Sequence, residues 1–133
     1  MKKLIPLTLI PLLTSCSLYY AYVTAPFDGN EYQLVNSVRT QSNIGAGKCG
    51  KPEVVGVVDQ LYSTTLEFRN YSEYLPHNEE TQRASKELVE MVKDFRDRYH
   101  GNEPVGTFYC TTKFAEIEKN AVNIQNIVGT KPR

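Results

Sequence analysis

Tryptophan is absent from this chain, histidine occurs twice, and neither sign of charge prevails: 15 basic side chains stand against 15 acidic ones among 133 residues. Balanced charge argues against nucleic acid as a partner, because such binding draws on clustered Lys and Arg that release counterions. His77 and His100 sit at no metal-ligand spacing from a cysteine, so the usual zinc patterns do not arise and no metal is expected. No stretch alternates polar and apolar residues convincingly over a strand length, which removes the β-rich architectures. Nucleophile elbows, phosphate-cradling glycine loops and calcium loops are missing as well. Gly45-Ala46-Gly47 neither completes a dinucleotide fingerprint nor follows a strand. Acids such as Glu79 with Glu80, or Glu116 with Glu118, are too close in sequence to share a helix face. The expectation is therefore a module without catalysis, cofactor or small-molecule substrate. At 41% hydrophobic and 23% charged, the composition is that of one ordinary globular domain.

What is present begins at the N-terminus. Lys2 and Lys3 precede Leu4 to Leu13, an uncharged, mostly aliphatic run broken by Pro6, Thr8 and Pro11. A helix of that length covers only about 15 Å, roughly half of a hydrocarbon core, so the run reads as the core of a secretory signal and not as a span. Leu13-Thr14-Ser15-Cys16 follows and resembles the lipobox of bacterial-type lipoprotein precursors. The resemblance implies removal of residues 1–15 and a diacylglycerol on the Cys16 thiol. Ser17, in place of Asp, implies onward sorting to the outer membrane in lipoproteins of Gram-negative bacteria. Two or three acyl chains, at about 0.8 kcal/mol per buried CH₂, would make the attachment permanent. Without Lys2 and Lys3 the mature chain has thirteen basic and fifteen acidic groups, a formal net charge of −2.

Assigning Cys16 to lipid leaves Cys49 and Cys110, an even pair in an oxidising compartment, and a disulfide is the simplest use of it. A metal site would need more nearby ligands, and a nucleophile would need a paired base.

Residues 16–27 read as the lipidated cysteine and a short tether, in which Tyr19, Tyr20 and Tyr22 either rest among lipid headgroups or pack on the domain. Residues 28–133 carry four amphipathic patterns. Asp28 and Glu31 stand at capping-box spacing, Phe27 and Tyr32 at staple spacing, and Leu34, Val35 and Val38 give the first helix an apolar face that fades at Asn43. The second starts at Pro52 and carries Val54, Val58, Leu61, Thr65 and Phe68 on one seam, widened by Val55, Tyr62 and Leu66, until Leu75-Pro76 stops it. The third has Asn78 as cap, Glu79 and Glu80 in the first turn, an inner face of Ala84, Leu88, Met91, Phe95 and Tyr99 flanked by Val92, and Gly101 as a left-handed stop. Its outer face offers Lys86 with Glu90 and Asp94 with Arg98, four residues apart, and Lys93 and Asp97 are expected exposed there. The fourth runs from Pro104 with Cys110, Phe114, Ile117, Ala121, Ile124 and Val128 on one seam, closed by Gly129 before a basic tail.

Four such helices with short connections predict an all-α, antiparallel up-down-up-down four-helix bundle. That topology brings the starts of the second and fourth helices to one end, where Cys49 and Cys110 both fall, and leaves the tether at the other. Between the second and third helices, the aromatic and polar run from Glu67 to Glu79 suits either a partner surface or plain helix termination. Small size, lipobox and helical body are similar to the small lipoproteins of bacterial envelopes and of tailed phages. The resemblance implies a membrane-anchored binding or structural module, held at the outer membrane facing the periplasm, with another envelope protein as its partner. The alternative is a phage-encoded lysis or exclusion lipoprotein such as an outer spanin subunit. A carrier of lipid or another hydrophobic ligand would need a hollow bundle, which the content of large apolar residues opposes.

Overall fold

The computed structural model describes residues 24–133, so the expected signal segment, Cys16 and the expected tether through residue 23 lie outside the described residues. Four helices follow one another: α1 (Gly29–Ala46), α2 (Val54–Tyr74), α3 (Glu79–Tyr99) and α4 (Thr107–Gly129). Each packs on two neighbours, α1 on α4 and α2, α3 on α2 and α4, which closes a four-helix bundle. No described helix is long and apolar enough to cross a membrane.

A single rule links sequence to packing in all four helices. Buried positions recur at alternating steps of four and three: Glu31, Val35, Val38, Ser42 and Gly45 on α1; Val54, Val58, Leu61, Thr65, Phe68 and Ser72 on α2. Thr81, Ser85, Leu88, Val92 and Phe95 repeat the spacing on α3, as do Cys110, Phe114, Ile117, Ala121, Ile124 and Val128 on α4. That average of 3.5 residues keeps one stripe turned toward a slightly inclined neighbour, the packing used by coiled coils. The seams expected for α2 and α4 are the ones observed. On α3 the inner stripe is turned from the expected one: Ala84, Met91 and Tyr99 lie half-buried at its flank, while Thr81 and Ser85 are inside.

The ends depart from expectation in instructive ways. Helix α1 runs through Asn43 to Ala46 because Gly45 lets the Phe114 ring lie against its backbone, where any Cβ would overlap that ring. Helices α2 and α4 begin at Val54 and Thr107, each after the expected proline, and Leu75 leaves α2 in an extended conformation before Pro76. Gly101 does not take the left-handed conformation; among the described residues Gly50 and His77 do, with φ of 79° and 55°. On the outer face of α3, Lys86 reaches Glu73 of α2 at 3.5 Å and Arg98 reaches Glu103 at 3.0 Å, in place of the expected pairs along the helix. Lys93 is half-buried, not fully exposed, and its ammonium sits 2.7 Å from Asp97.

Candidate functional site

The two ends of the bundle have different interiors. At one end Phe95 packs edge-on against Phe114 with centroids 5.0 Å apart, and against Tyr99 at 5.4 Å. This end also holds the Cys49–Cys110 disulfide, with Cα atoms 5.8 Å apart. Cys110 is fully buried in the first turns of α4, and Cys49 lies on the connection between α1 and α2. Asp59 of α2 accepts from Arg96 Nε of α3 at 2.7 Å and lies 2.8 Å from Nε2 of His100, the residue that caps the end of α3. The bond to His100 outweighs the opposing effect of burial and, with a further contribution from Arg96, holds the Asp59 carboxyl below the usual carboxylate value. Arg96 also stacks 5.0 Å over the Tyr62 ring.

The opposite end, where Thr24 to Asp28 join the bundle, is polar inside. Its seam positions on α1, α2 and α3 are Glu31, Ser72 and Thr81, all fully buried, and only α4 contributes an apolar one, Val128. Asp28 caps α1 as its sequence position requires, accepting from the Glu31 N–H at 2.8 Å, and its carboxylate also accepts from the Tyr71 hydroxyl at 3.2 Å. The second half of the expected capping box does not form. Instead of reaching back to Asp28, the Glu31 carboxylate turns inward, accepts from Asn78 Nδ2 at 2.6 Å, and pairs with the ammonium of Lys131.

Asn78 is diverted in the same way. It occupies the N-cap position of α3 but makes no side-chain cap. Its amide donates to Glu31 and, at 3.0 Å, to the Ser72 carbonyl, while its Oδ1 accepts from Lys131. One asparagine thereby joins the start of α1, the end of α2, the start of α3 and the chain beyond α4. Buried charge is tolerated here because every member of the group has a charged or hydrogen-bonding partner.

Beside this group opens a cleft of about 470 Å³, lined by Thr24 and Ala25, by the α2–α3 turn at His77 and Asn78, and by Lys131 and Pro132 among others. Lys131 lies on its wall with its side chain 10% exposed. Ser72 Oγ and Thr81 Oγ1 are buried without a hydrogen-bond partner among the described residues, so neither is set against a base as a nucleophile would be. The arrangement orders chain ends around a neutralised charge.

Of the residues singled out from sequence, Cys49 and Cys110 are brought together at the aromatic end, and Cys16 lies outside the described residues. His100 ends α3, as expected of a helix-end residue, and His77 lies in the turn between α2 and α3. The run from Glu67 to Glu79 is partly consumed inside the molecule, by Tyr71 and Asn78, while Tyr74 remains 85% exposed. The Glu31–Asn78–Lys131 group was not legible beforehand. Its only sequence trace is an acid on the inner stripe of α1, which the capping-box spacing explained in another way. Comparison with protein-family models, with curated proteins and with solved structures gave no match.

Proposed function

We propose that this chain is a membrane-anchored lipoprotein of the bacterial envelope, acting without catalysis as a binding or structural module. The observation that carries the reading is Leu13-Thr14-Ser15-Cys16 behind a basic start and a short aliphatic run. The geometry supports it in one respect. Thr24 to Asp28 enter at the polar end and the disulfide lies at the other, so an anchor at Cys16 would hold the polar end toward the membrane. A helix of 21 residues spans about 32 Å, and the disulfide end would stand off by that distance and more. The outward end then offers Phe108, 85% exposed in the first turn of α4, as a contact for a second envelope protein.

The decisive test is metabolic labelling with a tagged fatty acid. The parent chain should take up label and fractionate with membranes, whereas Cys16→Ala should accumulate as a larger, unlabelled precursor. Equal label in the variant would overturn the reading.

A further inference from the structure

The segment that enters the bundle is gripped by the residues that follow α4. Ala25 N–H donates to the His77 carbonyl at 2.9 Å, and Phe27 N–H donates to the Pro132 carbonyl at 2.8 Å. His77 can present its carbonyl there because its backbone takes the left-handed conformation, which reverses the chain between α2 and α3. Lys131, Pro132 and Arg133 each hold something different. Lys131 pairs with Glu31 and Asn78, Pro132 takes the Phe27 amide, and the Arg133 guanidinium lies 5.0 Å over the Phe27 ring.

We propose that Lys131–Arg133 form a clasp that opens as a unit and, when open, releases Thr24 to Phe27 from the bundle. Three observations argue for a separate opening. The tail follows the end of α4 and adds no residue to the buried apolar core. Its hold is polar, through an ion pair, hydrogen bonds and one cation–ring contact, and opening would admit water to Glu31 and Lys131 together, unlike the loss of one partner from the closed site. The cleft beside it is lined by Thr24, Ala25, Lys131 and Pro132, which places both partners of the clasp at the rim of the bundle end although Ala25 itself is buried. Of the segment it holds, Ala25 is buried and Phe27 packs on the core only in part, and segments with few buried apolar contacts open at lower cost than the seams of a bundle.

Asp28 stays behind in the open form, because its side chain caps α1 and holds Tyr71. The four residues from Thr24 to Phe27 would then add up to about 14 Å of chain between the bundle and residues 1–23. The clasp thus gives the bundle two reaches from its attachment point. That consequence rests on the lipoprotein reading; the clasp itself does not.

The test is amide hydrogen exchange on the full-length protein in detergent, comparing the parent with a variant that lacks Lys131–Arg133 and carries Glu31→Gln. The second change removes the carboxylate that the deletion would leave unpaired. Phe27 loses its acceptor in the variant by construction, so Ala25, whose acceptor His77 is retained, is the informative amide. The clasp requires Ala25 to exchange at least tenfold faster while the amides of Cys110 to Ile117, beside the disulfide, keep the parent rates. Unchanged exchange at Ala25 would overturn the proposal. So would equal acceleration along α4, which would make the tail part of the cooperative core. Neither result depends on acylation, so a failure here leaves the fatty-acid test untouched, and the reverse holds as well.

Discussion

Glu31 and Lys131 lie 100 residues apart in the chain and close on each other as a buried ion pair, with side chains 0% and 10% exposed. Surface pairs of this kind contribute little, but removing one partner of a buried pair leaves a charge in a medium that solvates it poorly. Lys131→Met is therefore expected to destabilise by about 3 kcal/mol or more, and Glu31→Gln combined with Lys131→Met should recover a large part of that loss. Urea unfolding of the parent, the single and the double variant gives the comparison. A single variant as stable as the parent would show that Glu31 is hydrated.

Gly45 tests how closely α1 and α4 approach. In an ordinary helix interior Gly→Ala stabilises by about 1 kcal/mol, through backbone entropy. Here the added methyl would overlap the fully buried Phe114 ring, and overpacking of this kind costs about 1 to 3 kcal/mol. The second effect should prevail, so Gly45→Ala is expected to melt below the parent. Adding Phe114→Leu to the same chain should narrow the gap, and a raised melting temperature in Gly45→Ala alone would refute the close contact.

Phe95 is fully buried and meets Phe114, Tyr99 and Tyr109. Phe95→Ala should cost about 3 to 5 kcal/mol through lost burial and the cavity left behind. Two positions earlier on the same helix, Lys93 pairs with Asp97 along the outer face, and Lys93→Ala should melt close to the parent. Thermal unfolding of the two variants side by side checks the orientation of α3.

Asp59 sets a pH dependence. Its carboxyl is held below the ordinary value of 3.8 in the folded chain, chiefly by the bond to His100. A carboxyl lowered on folding contributes stability that is fully present above the unfolded value and is lost as pH falls through the folded one. Asp59→Asn should accordingly melt below the parent at about pH 5, and the difference should shrink steadily toward about pH 2. A difference that stayed constant across that range would assign the effect to packing instead of charge.

The sequence by itself determined the periodic part of this protein. Val54, Val58, Leu61, Thr65 and Phe68 mark the inner stripe of α2, and Cys110 through Val128 mark that of α4, because burial of apolar area at helical spacing needs no knowledge of the partner helix. The Asp28 cap and the stop at Leu75-Pro76 were legible for the same reason: each is settled within one turn of chain. Helices α1 and α3 were read less well where their inner stripes carry Glu31, Ser42, Thr81 and Ser85, residues whose burial no local pattern announces.

Only the tertiary structure decided what those polar groups do. Glu31 could have completed a capping box and Asn78 could have capped α3, since both choices satisfy local hydrogen bonding equally well. Closing the bundle brings Lys131 to the same point, and in a site shielded from water an unpaired carboxylate costs far more than two forgone caps. The assignment therefore follows from desolvation at a meeting of four distant chain segments, a quantity that does not exist until they have met.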